Sequence, residues 1–246
     1  MTELTDRPQP LIEVHDSPEV LATAVAGELL NRIADSQAAG HIPDIGLTGG
    51  SIAEAVHREV ARLAPASGVD WGAVQLYFGD ERFVPAHSPD RNVQQARAAF
   101  LDEVGATRVH AVPSSDDVPT AEEAAASYAS TVRSTGSGDF DVLMLGVGPD
   151  GHIASLFPGH PGLEATDEIA IAVHDSPKPP PDRVSLTFEA LNRAQAVWFL
   201  VTGDGKADAV RRALAEDGSL AETPARGVRG TTETVWFLDT AAASAV

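Results

Sequence analysis

Short apolar runs alternate along the chain with longer stretches in which apolar residues recur at helical spacing. Runs of three to six residues have the length of buried strands, and the stretches between them are long enough for helices. Parallel strands need such helical crossovers and are buried on both faces. The pattern predicts an α/β fold, a Rossmann-like three-layer αβα sandwich with a mostly parallel sheet. The predicted strands are 11–14, 43–47, 74–78, 109–112, 140–145, 169–173, 184–186, 197–201 and 235–238, and the longer predicted helices are 18–39, 52–63, 90–104, 120–134 and 204–215.

Local signals at the first helix agree with this pattern. Ser17 and Pro18 suit the N-cap and the first helical position, and Gly40 suits the end of the helix.

No linker divides the 246 residues, and α/β domains often reach this length. We therefore expect a single domain over residues 1–246.

Charge and composition narrow the possible partners. The net charge of −19 disfavours bulk attraction to nucleic acid or anionic membranes, so an anionic ligand must be held by local groups. The lack of Cys excludes disulfides, thiolate metal sites and a cysteine nucleophile. No apolar run has the length of a signal peptide core or a membrane span. We expect a cytoplasmic protein, a monomer with a weak dimer as the alternative, that binds neither nucleic acid nor membrane.

Four polar loops directly follow predicted strands, which is where open α/β sheets bind their ligands. In the first, Thr48-Gly49-Gly50-Ser51, two glycines and a hydroxyl lie between a strand and a helix. Backbone N–H groups at such a helix start favour a phosphate. The alternative is a tight turn that needs positive φ. The loop is no GxxxxGK[ST] motif, which argues against an NTPase.

The second loop carries three charges, Asp80, Glu81 and Arg82, immediately after a strand. The planar guanidinium of Arg82 suits phosphate binding. The alternative is a self-neutralising cluster of surface charges.

The third loop, 146–152, matches GxGxxG, the dinucleotide-binding fingerprint. However, Asp150 would repel a pyrophosphate, and Pro158 comes too soon for a full helix. A second interpretation makes His152 a general base, with Asp150 polarising its ring or contacting substrate hydroxyls. In a third interpretation, His152 has a purely structural role.

The fourth loop, 175–183, is rich in proline and has Lys178 and Arg183 near its two ends. Prolines stiffen the segment, so these cations can meet an anion at little ordering cost. The alternative is a polyproline linker on the surface. Elsewhere the chain has no GxSxG, no HExxH and no His pair at metal spacing, and we expect neither a metal nor a cofactor.

Taken together, four stretches resemble, in order and spacing, the signature loops of the 6-phosphogluconolactonase family, which is grouped with the glucosamine-6-phosphate deaminases and sugar-phosphate isomerases. The resemblance extends over residues 11–238, and the third stretch is the most specific. It implies a carboxylic ester hydrolase that converts 6-phospho-D-glucono-1,5-lactone to 6-phospho-D-gluconate in the pentose phosphate pathway. The four stretches are LTGGS at 47–51, GDERFVP at 79–85, LGVGPDGHIASLFPG at 145–159 and SPKPPP at 176–181.

The resemblance also implies roles for individual residues. His152 would transfer protons, and Asp80 and Asp150 match acidic positions that line the sugar site. The phosphate ligands would be Gly49, Gly50, Ser51, Arg82 and Lys178. Ile52-Ala53 stands where Thr-Pro is common, which removes a hydroxyl at the helix start, and Arg91 stands where Ser is usual.

Three other functions are alternatives to hydrolysis. The deaminases carry a carboxylate five positions after the His, and this chain has Phe157 there, which accepts no proton. A sugar-phosphate sensor would keep the phosphate loop without needing a titratable group at position 152. A nicotinamide-dependent oxidoreductase built on 146–151 is a further hypothesis.

Overall fold

The computed structural model describes residues 7–136 and 138–246. The strands are β1 (Leu11–His15), β2 (Asp44–Leu47), β3 (Gln75–Phe78), β4 (Asp80–Arg82), β5 (Arg108–Val109), β6 (Val142–Gly146), β7 (Ala170–Val173), β8 (Arg183–Leu186), β9 (Ala196–Val201) and β10 (Glu233–Asp239). The α-helices are α1 (Pro18–Ala38), α2 (Ser51–Ser67), α3 (Asn92–Ala96), α4 (Ala121–Thr135), α5 (Phe188–Leu191) and α6 (Ala207–Leu214).

Seven of these strands form one parallel sheet in the order β1-β10-β9-β6-β2-β3-β5. After β2 the chain proceeds to β3 and β5 on one side, and β6 lies on the other side of β2. The strand order therefore reverses between β2 and β6, and a crevice at their carboxyl ends is the usual ligand position in such sheets. The predicted α/β fold with a mostly parallel sheet is confirmed.

Both faces of the central strands of this sheet are buried, because apolar side chains point to alternate sides along each of them. In β9, Val197 and Phe199 belong to one core, and Trp198 and Leu200 belong to the other. Helices α1, α2 and α3 cover the second core. Helices α4, α5 and α6 cover the first. This arrangement gives the three layers expected from the sequence.

Capping residues set the helix starts where the sequence predicts them. Pro18 opens α1, and the Ser17 hydroxyl accepts a hydrogen bond from the N–H of Val20 at 3.3 Å. Thr120 caps α4 in the same way through the N–H of Glu123 at 3.2 Å. Each cap satisfies one N–H that the first helical turn leaves without a backbone partner.

A second, antiparallel sheet of order β4-β8-β7 was not expected. The segment predicted as a polar loop over 79–89 begins with β4, whose Glu81 lies opposite Val184 of β8. Charged residues hide this strand from pattern analysis, and its partner lies about a hundred residues away in sequence. The helix predicted over 90–104 is also different: α3 is short and continues as one wider π-helical turn, Arg97–Leu101.

Candidate active site

A cavity of about 300 Å³ lies at the carboxyl ends of the strands, beside the crossover point between β2 and β6. All four loops selected from the sequence contribute to its wall. Seven of the eight predicted site residues line it, and the eighth, Asp150, contacts the ring of His152. The seven are Gly49, Gly50, Ser51, Asp80, Arg82, His152 and Lys178.

The first loop opens a long helix at the cavity wall. Gly50 has φ of +99° at the N-cap of α2, a conformation that favours glycine, and no side chain caps this end. The N–H groups of the first turn, beginning at Ser51, are therefore left for a ligand. Their partial positive charge, added to the helix dipole, is suited to an anion.

Gly49 is required for a different reason, the close approach of neighbouring side chains. A Cβ at this position would overlap the Asn92 amide oxygen and lie 3.2 Å from Nη1 of Arg82. The Arg82 guanidinium donates to this same Asn92 oxygen. The glycine thus lets Arg82 lie against the turn that starts α2.

The three charges of the second loop have three separate environments. Arg82 faces the cavity. Asp80 also lines it, and its carboxylate accepts a hydrogen bond from the Ser155 hydroxyl at 2.6 Å. Glu81 is fully buried away from the cavity and accepts hydrogen bonds from the first N–H groups of α3, those of Asn92 at 2.7 Å and Val93 at 3.0 Å.

Glu81 is therefore a structural acid. Burial raises its pKa, whereas the backbone hydrogen bonds at the start of α3 and the nearby Arg91 guanidinium lower it. Arg91, at 3.7 Å from this carboxylate, is almost fully buried and donates to the carbonyl of Val112. The Ser expected at this position is thus replaced by a cation with a buried partner.

The third loop joins Asp150 to His152. Oδ1 of Asp150 lies 2.5 Å from Nδ1 of the ring, and the His152 side chain is 14% exposed. Although burial opposes ionisation, the hydrogen bond and charge of His152, with Lys178 nearby, hold the pKa of Asp150 well below its usual range. An ionised carboxylate therefore faces Nδ1 throughout the neutral pH range.

The same loop turns back on itself and opens no helix. The N–H of Gly148 donates to the carbonyl of His152 at 2.9 Å, and that of Gly151 donates to Gly148 at 2.9 Å. A dinucleotide pyrophosphate would need a helix start here, so this geometry disfavours the oxidoreductase interpretation. Phe157 is buried against the imidazole, with ring centroids 4.6 Å apart, so the position five residues after His152 holds an apolar ring and not a carboxylate.

The fourth loop presents both Lys178 and Arg183 to the cavity. The pKa of Lys178 is lowered by burial and by the nearby cations Arg183 and Arg82, and Asp150 opposes this shift. The Arg183 guanidinium donates to the carbonyl groups of Lys178 at 2.9 Å, Pro179 at 3.2 Å and Pro180 at 3.2 Å. The sequence placed Arg183 among possible anion ligands, but most of its donors bind the loop that carries Lys178.

One cation of the wall, Lys206, was missed. It comes soon after β9 and donates to the carbonyl of Val147 at 2.5 Å, and burial and Lys178 lower its pKa while Asp150 raises it. The sequence predicts a helix over 204–215, and residues 203–207 do not match a P-loop. The rule that selected the other loops, polarity directly after a buried strand, also applies to this one.

Two kinds of feature are absent from the part of the chain that the structure describes. Over residues 7–136 and 138–246, no group of three or more His, Asp or Glu side chains is arranged to hold a metal ion. Within the same ranges, no helix has both the length and the apolar character needed to cross a bilayer.

Comparison with known proteins agrees with the geometry. Residues 16–236 match the family model described as glucosamine-6-phosphate isomerases/6-phosphogluconolactonase. A 6-phosphogluconolactonase of Streptomyces coelicolor is 43% identical over 98% of this chain and 95% of its own length. The human 6-phosphogluconolactonase is 40% identical over 95% of this chain and 92% of its own. The structure of the Trypanosoma brucei 6-phosphogluconolactonase superposes with a TM-score of 0.83 at 29% identity, covering 96% of this chain and 98% of that one. The chain belongs to the glucosamine-6-phosphate isomerase/6-phosphogluconolactonase family.

Proposed function

We propose that the chain hydrolyses 6-phospho-D-glucono-1,5-lactone to 6-phospho-D-gluconate, the second step of the oxidative pentose phosphate pathway. The bacterial and human relatives bear the name of the enzyme for this reaction. The observation that carries the proposal is the Asp150–His152 pair on the same cavity as an uncapped helix start and several cations. Such a cavity is suited to a substrate with a phosphate at one end and a hydrolysable bond at the other.

In this proposal His152 is the general base and Asp150 orients it. A hydrogen bond from Nδ1–H to Asp150 leaves the lone pair on Nε2. Nε2 takes a proton from water as the water oxygen bonds to the lactone carbonyl carbon. The bond from that carbon to the ring oxygen then breaks, and the ring oxygen takes the proton from Nε2. The product acid ionises, so each turnover releases one proton at neutral pH.

The phosphate end of the substrate is bound by Gly49, Gly50 and Ser51 through their backbone and by Arg82 and Lys178 through their charge. Lys206 adds a further cation to this wall. Exposed acidic groups beyond about 8 Å are largely screened at physiological salt, so these local cations outweigh the net charge of −19. Holding the phosphate fixes the carbonyl against the attacking water.

Asp80 lies on the sugar side of this proposed arrangement. One of its oxygens is occupied by Ser155, and Asn92 donates to the other at 3.2 Å. A carboxylate has about four lone-pair sites, so further acceptor capacity is left for a sugar hydroxyl.

We propose further that the chain is one domain acting as a cytoplasmic monomer. A sheet that joins β1 with β10 supports a single domain, since it ties the start of the described chain to its end. Light scattering on the purified protein tests the oligomeric state, and cell fractionation tests the location.

A coupled assay tests the reaction. Glucose 6-phosphate is oxidised to the lactone in situ, and acid release is followed with the protein and without it. We expect turnover above spontaneous opening and a loss of about 10²–10⁴-fold in kcat/KM for His152→Ala. His87→Ala, a change at an exposed histidine, serves as the control. Binding of the lactone without turnover would identify a sensor. Full activity of His152→Ala would refute the assignment of His152 as the general base.

A further inference from the structure

The turn that carries Asp150 and His152 is held from outside by a distant part of the chain. Its internal hydrogen bonds close the turn, but they leave the carbonyl groups of residues 149–151 without partners in the turn. The carbonyl of Gly151 accepts from the N–H of Ala225 at 3.0 Å. The carbonyls of Pro149 and Asp150 accept from the Arg212 guanidinium at 3.3 and 3.5 Å.

Arg212 is itself fixed on helix α6. Its Nε donates to Oδ2 of Asp208 at 2.9 Å, and its Nη1 donates to the Thr223 hydroxyl at 3.0 Å. A planar guanidinium with donors on several sides can hold these partners at once, which a lysine ammonium cannot do in the same geometry. The helix thus ties the turn to the segment around Thr223.

The same helix begins directly after Lys206, which binds the Val147 carbonyl at the other end of the turn. Six residues separate Lys206 from Arg212, about 9 Å along a helix. The two cations therefore hold the catalytic turn at two points. We propose that Arg212 is a positioning residue that sets the placement of the Asp150–His152 pair against the substrate.

This inference rests on the proposed lactone hydrolysis, since the pair matters only if it performs chemistry. A displacement of about 1 Å can cost about a hundredfold in rate, and a partial loss of support costs less. We expect Arg212→Met to lower kcat about tenfold and to change KM less than twofold, because the phosphate ligands lie on other loops.

The neighbouring Arg211 offers a matched control. It is also on α6 and pairs with the same Asp208, at 2.7 Å, but it does not contact the turn. Arg211→Met should leave kcat unchanged. If Arg212→Met fails to fold, Arg212→Lys replaces it, and an intermediate loss of kcat is expected.

Two readouts separate positioning from a general structural role. The NMR signal of the His152 Nδ1 proton, bonded to Asp150, should shift or exchange faster with water in Arg212→Met and stay unchanged in Arg211→Met. In an Asp150→Asn background, Arg212→Met should cost less than a further twofold in kcat.

Failure of the inference about Arg212 can be distinguished from failure of the proposed lactone hydrolysis. Equal kcat and equal Nδ1 proton signals in the two methionine variants would overturn the inference, and so would an undiminished tenfold loss in the Asp150→Asn background. An inactive wild-type protein would overturn the proposed function, and the Nδ1 proton signal would still decide whether Arg212 positions the pair.

Discussion

Two glycine-rich turns flank the crevice between β2 and β6, and they begin alike but continue differently. The Gly49–Ser51 turn leads into the seventeen residues of α2, whose first N–H groups have no side-chain cap. The turn after β6 closes on itself through Gly148 and His152. The first can bind an anion with its backbone. The second presents a side-chain pair and needs support from α6 to hold it in place.

A glycine motif after a strand therefore does not by itself define a function. The segment after the turn determines it, because a helix supplies aligned N–H dipoles, whereas a closed turn supplies only side chains. If this division is right, changes in the first turn should act on substrate binding, and changes in the second should act on the chemical step.

Among changes that keep both members of the Asp150–His152 pair, Gly148→Ala has the largest expected effect. A Cβ here would overlap Nδ1 of His152 and lie 2.5 Å from Oδ1 of Asp150, so the pair must move apart. We expect kcat to fall by at least about a hundredfold, with a small change in KM. Steady-state kinetics of the coupled reaction measure both. Gly27→Ala, where a Cβ meets nothing within 4 Å, is the control; an unchanged kcat in Gly148→Ala would contradict the role of the pair.

Arg82→Met tests substrate binding at the first turn, because Arg82 belongs to β4 but its guanidinium lies against Gly49. Loss of a charged hydrogen bond of about 1.5–3 kcal/mol should raise KM tenfold to about a hundredfold and change kcat less. It should weaken inhibition by inorganic phosphate to a similar extent. Arg58→Met, which removes an exposed ion pair with Glu54 on the helix α2, should change neither. A fall in kcat with an unchanged KM would show that substrate binding and the chemical step are not separated between the two turns.

Helix α2, which follows only the first of the two turns, also contains a buried histidine, His57. Burial lowers the pKa of His57 to about 4, and the ring packs on Phe100 with centroids 4.7 Å apart. The folded state favours the neutral ring, so stability is fully present above pH 6.5 and is lost as the pH falls towards 4. At pH 5 the loss is about 2 kcal/mol.

Urea unfolding at pH 7.5 and pH 5 measures this contribution to the free energy of unfolding. His57→Leu should remove about 2 kcal/mol of the pH dependence, whereas His87→Gln, at an exposed position, should leave it intact. An equal pH dependence in His57→Leu would assign the effect to other groups.

The smallest expected effect concerns Ile52, which lines the cavity at the start of α2. Ile52→Thr supplies the hydroxyl that the family resemblance implies at this position. One added hydrogen bond of about 1 kcal/mol should lower KM about threefold to fivefold and leave kcat unchanged. If KM stays the same, the backbone N–H groups and cations already satisfy the phosphate.

Much of the candidate site could be predicted because its residues lie next to strand ends. The positions of Arg82, His152 and Lys178 were inferred from polar residues placed after buried strands, and parallel strands end at one edge of the sheet. Lys206 obeys the same rule and was missed because its segment was predicted as part of a helix and not as a binding loop. Glu81 was grouped with its charged neighbours, and local sequence does not reveal that it binds the start of α3.

The sequence alone was sufficient for the α/β class, the mostly parallel sheet, the N-cap of α1 and the four loops, since these depend on periodicity and on neighbours a few residues apart. Folding alone determined that β4 pairs with β8, that Arg183 binds its own loop and that Arg212 binds the turn that carries His152. Those contacts join residues whose polar groups could each form hydrogen bonds with several different partners. Only the packing of distant segments, which decides which donors and acceptors lose water together, selects one of them.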